Sequence, residues 1–158
     1  MRFPFLANVV YGNTVLTWLI AVGIGVLAYV LLLLAQRMIA SLLERIARRS
    51  GSTWVAFAGD LIGRHTYKAF LALLAVGAAT LALVLPASIG GAVSALVRVG
   101  LWLQVAVWGN AFIPQMLDTF FGDRSTLDRS RASSYAVVAI TSRVVLWVIV
   151  GIVILQSL

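Results

Sequence analysis

Residues 3–35 contain no Asp, Glu, Lys or Arg, and the part of this run that follows Asn13 is long enough to cross a bilayer as a helix. A hydrocarbon core about 30 Å thick is spanned by about 20 apolar residues at 1.5 Å per residue. Three more apolar stretches follow, so the chain reads as four transmembrane helices over about 14–36, 69–85, 92–113 and 135–157. A helix in water needs a polar face, and these segments have none. The expectation is an all-α integral membrane protein forming a single transmembrane domain over residues 1–158.

Composition narrows the function classes. Of the 158 residues 62% are hydrophobic and 11% charged, with a mean hydropathy of +1.04, whereas about a quarter of an ordinary globular chain is charged. Cysteine is absent, which removes a disulfide framework, thiol catalysis and thiolate metal ligation. A net charge of +7 would suggest nucleic acid in a soluble protein. Here the arginines flank apolar segments, where anionic head groups and membrane topology account for them. No basic stripe is interleaved with stacking aromatics, so nucleic acid is not an expected partner.

The stretch after Asn13 exceeds the 7–15 apolar residues of a signal peptide and ends in Gln36-Arg37, a stop-transfer flank. It reads as a retained helix. Residues 3–13 ahead of it read as a short interfacial helix or a frayed terminus, with Tyr11 near head-group depth and Asn13 or Thr14 capping the first span.

Past Gln36 the first helix continues into an amphipathic extension. Ile39, Leu42, Leu43 and Ile46 recur at helical spacing, opposite Glu44, Arg45, Arg48 and Arg49. Ser50-Gly51-Ser52 breaks it, and Ser52 or Thr53 starts a second amphipathic helix in which Trp54, Phe57, Leu61 and Ile62 oppose Asp60 and Arg64. Pro86 closes the second span, residues 86–91 form a short uncharged turn, and Pro114 follows the third span. Residues 123–134 are the clearly hydrophilic loop.

Lys and Arg counts near helix ends set orientation. The loop over 37–68 holds Arg37, Arg45, Arg48, Arg49, Arg64 and Lys68, and the loop over 114–134 holds Arg124, Arg129 and Arg131, against Arg2 alone on the other side. Both basic loops are therefore expected in the cytoplasm and both termini outside.

No catalytic constellation emerges, and neither an enzyme nor a cofactor is expected. His65 is the only histidine, and none of Glu44, Asp60, Asp118, Asp123 and Asp128 falls mid-membrane. A transporter is disfavoured on the same ground, together with the lack of an internal repeat. The residues with a functional reading are those that meet lipid. Arg37, Arg45, Arg48, Arg49, Arg64 and Lys68 are candidate head-group contacts, with topology alone as the competing reading. Arg98 and Arg143 lie inside spans, each able to snorkel to phosphate, to line a lipid-phosphate site or to pair with another chain. Tyr11, Trp18, Trp54, Trp102, Trp108 and Trp147 are candidate interfacial anchors. Gly59 and Gly63 make a small-xxx-small pair suited to helix packing.

Several of these stretches occur together in a known pattern. Tyr11-Gly12-Asn13-Thr14 ahead of Trp18 is one. The basic extension over 36–49, Leu101-Trp102-Leu103-Gln104, Val107-Trp108-Gly109-Asn110 and Arg143-Val144-Val145-Leu146-Trp147 are the others. The chain resembles the sensor region of the longer bacterial members of the small-conductance mechanosensitive channel family. That resemblance implies tilted, lipid-contacting paddle helices of a homoheptameric inner-membrane channel opened by bilayer tension. In that family a pore helix and a cytoplasmic vestibule come next, so the present residues read as the sensor without the pore, either a sensor fragment of a longer channel or a short paralogue that lacks the conducting part. The alternative is a small pore-less structural or regulatory membrane protein that associates with partner helices.

Overall fold

The computed structural model describes residues 9–10, 12–121 and 129–158. Two short strands, β1 (Val9–Val10) and β2 (Asn13–Thr14), lead into five helices: α1 (Val15–Ser50), α2 (Thr53–Arg64), α3 (Lys68–Thr80), α4 (Ala87–Phe121) and α5 (Arg129–Ser157). The strands pair antiparallel, Val9 opposite Thr14 and Val10 opposite Asn13, around Gly12 at φ 81°. The described part of the expected interfacial helix is thus a tight hairpin. Tyr11 lies outside the described residues, as do Arg124 and the side chains of Arg129 and Arg131.

Thr14 caps α1, its hydroxyl accepting from the Thr17 N–H at 3.2 Å. With no breaker in the way, α1 runs 36 residues through Gln36 into the amphipathic extension. It stops at Gly51, whose left-handed φ of 64° lets its N–H bond back to the Ala47 carbonyl at 2.9 Å. Ser52 then starts α2, which folds back on the extension as the expected hairpin. Gly59 makes the close approach possible: a β-carbon there would come within 3.3 Å of Leu43 Cβ. The small-xxx-small pair is therefore a real packing surface.

α3 is shorter than the sequence suggests. It spans 13 residues, about 20 Å, and ends at Thr80 well before Pro86. Three successive i→i+3 bonds (Leu81 to Ala78, Ala82 to Ala79, Leu83 to Thr80, at 3.1–3.3 Å) tighten the chain after it. α4 is longer than expected at both ends. Pro86 precedes its first turn, where a missing N–H costs nothing, and the Pro86 carbonyl accepts from Ile89 and Gly90 at 3.0 Å. Pro114 lies inside α4 instead of ending it. It removes one bond, to the Asn110 carbonyl, but the turns that follow pack Leu117 beside Ile113 against Tyr135 and Ala139 of α5. α5 likewise begins earlier, at Arg129.

α3 runs antiparallel to α1, and its neighbour on the other side is the first half of α4: Gly77 faces Val97, and Gly100 faces Leu73 and Phe70. α5 packs on the second half of α4, where Gly109 faces Leu146 and the Tyr135 hydroxyl donates to Asp118 Oδ1 at 2.9 Å. That antiparallel register brings the end of α5 to about the level of Val97, one residue of α4 per residue of α5. α3 and α5 therefore overlap along the middle of α4, where Trp147 of α5 lines one groove with Phe70 and Leu73 of α3 and Gly100 and Leu103 of α4, and α5 alone continues toward Leu117. Among the described residues only eight hydrophobic side chains are buried, too few to hold a chain of this length together in water. α1, α4 and α5 are long and apolar enough to cross a membrane, and only 6% of the most apolar stretch of α1 is buried.

Candidate lipid-facing site

An amide buried among apolar segments must find a partner or bear the cost of desolvation. Three such side chains organise this molecule. Asn13 donates through Nδ2 to the Val84 carbonyl at 2.7 Å and accepts the Val84 N–H at 2.9 Å, tying the start of α1 to the chain beyond α3. At the opposite end, Gln36 of α1 donates through Nε2 to the Ile62 carbonyl at 2.8 Å and the Thr66 carbonyl at 3.3 Å. Gln104 of α4 donates to the His65 carbonyl at 2.7 Å and accepts the Tyr67 N–H at 3.2 Å. Trp108 adds an indole N–H bond to Thr66 Oγ1 at 3.2 Å. In the 65–67 bend between α2 and α3, the His65 N–H and the Tyr67 carbonyl bond within the flanking helices, and the His65 and Thr66 carbonyls and the Tyr67 N–H are satisfied from two neighbouring helices.

The bend forms one wall of a groove of about 650 Å³ against α1. Arg37, Arg64 and Lys68 line it, with Gln36, Glu44 and Tyr67. Arg64 shares Asp60, Nε to Oδ1 at 3.1 Å. Among the described residues neither Arg37 nor Lys68 has a carboxylate partner. His65 Nδ1 is buried and faces Asp60 Oδ2 at 3.5 Å. Two cations without a carboxylate partner among the described residues, on an open groove that Glu44 also lines, have the chemistry that suits a phosphate or another compact anion.

Three of the eight candidate head-group cations are therefore brought together, and five are not. Arg45, Arg48 and Arg49 are exposed along the α1 extension, Arg48 lying 3.9 Å from Glu44. Arg98 on α4 and Arg143 on α5 are exposed and stand apart from the groove. The aromatics divide as well. Trp18 lines an apolar groove between α1 and α3, Trp54 meets Phe112 of α4 at 5.9 Å between ring centroids, and Trp108 belongs to the bend. Trp102 is half-buried and Trp147 exposed. The contributions of Gln36, Gln104 and Thr66 have one sequence signal only: each is a polar group next to apolar residues, which implies a partner without naming it.

No protein-family model, no curated protein and no solved structure matches this chain.

Proposed function

We propose that this chain is a multi-pass inner-membrane unit that responds to bilayer tension, the sensor part of a mechanosensitive channel. The basic loops then lie in the cytoplasm and both termini outside, and the chain assembles into a homo-oligomer through its lipid-facing helices. This reading is supported by the length and composition of α1, α4 and α5 and by the segregation of Arg37, Arg45, Arg48, Arg49, Arg64 and Lys68 to one end. α3 joins these as a fourth crossing: the Asn13–Val84 and Gln36–Thr66 bonds tie it to α1 at two levels, about 34 Å apart along α1.

The observation that carries the tension reading is the geometry of α4. Its 35 residues make a rod of about 52 Å, well beyond a hydrocarbon core of about 30 Å. Such a helix tilts, and its tilt follows bilayer thickness. The levels of α4 that face the middles of α3 and α5, near Gly100 and Ala111, are about 17 Å apart along the rod. Tilting from about 20° to about 40° moves them apart in the membrane plane by about 5 Å. Membrane area then differs between two states, and only such a difference lets tension shift a population.

The test follows α4 directly. Spin labels at Ser88→Cys and Met116→Cys, introduced into a cysteine-free chain, report depth in bilayers of increasing acyl length and after lysolipid addition. The depth difference between the labels is expected to shrink as the bilayer thins. A constant difference would defeat tension sensing and leave the pore-less structural protein. That second reading is favoured by the exposed α5 face of Val145, Val148, Ile149 and Ile152, which a partner helix could cover.

A further inference from the structure

We infer that the seam between α1 and α3 holds one anionic diacyl phospholipid, its phosphate at Arg37 and Lys68 and one acyl chain along the apolar groove toward Trp18. Two cavities, one basic and one apolar, follow one another along the same seam. The basic groove is bounded membrane-ward by Leu33 of α1 and Ala69 of α3. The apolar groove of about 440 Å³ begins one turn further along the same two helices, at Tyr29 and Ala72, and continues past Val26 and Val76 to Trp18 and Leu83. Leu33, Tyr29, Val26, Val22 and Trp18 follow one another at helical spacing, so one stripe of α1 floors both cavities.

Charge and length select the occupant. Arg37 and Lys68 lack carboxylate partners among the described residues, while Arg64 keeps Asp60 at 3.1 Å, which leaves an excess of positive charge at the mouth. A leaflet is about 15 Å deep, and that depth from Arg37 ends near Val26, inside the apolar groove. A free phosphate would leave this groove empty, and a neutral lipid would leave the cations uncompensated. The inference rests on the membrane placement proposed above and not on the response to tension.

Native mass spectrometry of the detergent-solubilised chain tests it, with phosphatidylglycerol, phosphatidylcholine and glycerol 3-phosphate as probes. One phosphatidylglycerol should be retained in preference to phosphatidylcholine. Arg37→Gln with Lys68→Gln should cut that retention about thirtyfold, at about fivefold per cation, while Arg45→Gln with Arg49→Gln leaves it unchanged. Val76→Trp, at a half-exposed groove position, should expel the lipid at unchanged helical content. Equal losses from both double variants would overturn the seam site in favour of diffuse attraction. Displacement by glycerol 3-phosphate would overturn it in favour of a phosphate site. Retention is read without tension, so a constant α4 depth does not touch it, and extraction of the chain by alkaline carbonate would refute the membrane placement separately.

Discussion

Replacing Gln104 by leucine should destabilise the fold by about 1–5 kcal/mol, because it orphans two backbone groups while roughly conserving side-chain volume. Gln104 is 2% exposed, and its amide holds the His65 carbonyl at 2.7 Å and the Tyr67 N–H at 3.2 Å. Those two groups lie on a bend between helices, so no intrahelical bond replaces the lost ones. Interhelical hydrogen bonds in membranes contribute about 0.6 kcal/mol on average and up to about 1.7. A buried backbone group left without a partner costs about 1–3 kcal/mol. Two such groups set the upper range, and the greater apolar burial of leucine offsets about 1 kcal/mol.

Reversible unfolding in mixed micelles measures the loss, and hydrogen exchange at the Tyr67 amide locates it. Trp108→Phe, which removes only the bond to Thr66 Oγ1, should cost about 1 kcal/mol. The pair should be non-additive by at least about 0.5 kcal/mol, since both residues hold the same bend. Val105→Leu, on the exposed side of α4, serves as the neutral comparison. If Gln104→Leu falls within about 0.5 kcal/mol of Val105→Leu, the bend is not held in the way described.

Two further outcomes test other parts of the fold. A β-carbon at Gly63 would sit 3.4 Å from Ala40 Cβ, close to the Cβ separation of a disulfide, about 3.8 Å. Ala40→Cys with Gly63→Cys should therefore cross-link on mild oxidation, detected as a mobility shift, and a failure to do so would contradict the α1–α2 hairpin. Gly51→Val places a branched side chain at φ 64° and should cost at least about 1 kcal/mol, with Gly51→Asn milder, read by thermal melting and by proteolysis near Ser52.

Much of the helical content is legible in the residues themselves, for reasons confined to a few positions at a time. Apolar length announces α1 and α5, Ser50-Gly51-Ser52 announces the break, and helical spacing announces the amphipathic extension. The two prolines mislead. Pro86 has the look of a stop and is a start, and Pro114 sits within a helix that α5 packing carries onward. A proline's local effect is fixed, whereas its consequence depends on what the neighbouring turns can bury.

The candidate site is half legible. Arg37, Arg64 and Lys68 stand out as membrane-edge cations, but nothing in their spacing distinguishes them from Arg45, Arg48 and Arg49. Their convergence depends on Gln36 and Gln104 reaching the same bend from helices 68 positions apart, just as Asn13 reaches Val84 across 71. Periodicity, capping and charge counts act along the chain and so survive in the sequence alone. The placing of α3 and α5 against α4 arises from contacts across it. Only side chains already packed in three dimensions decide such contacts, because a hydrogen bond has no energy to offer until its donor and acceptor have been brought within reach.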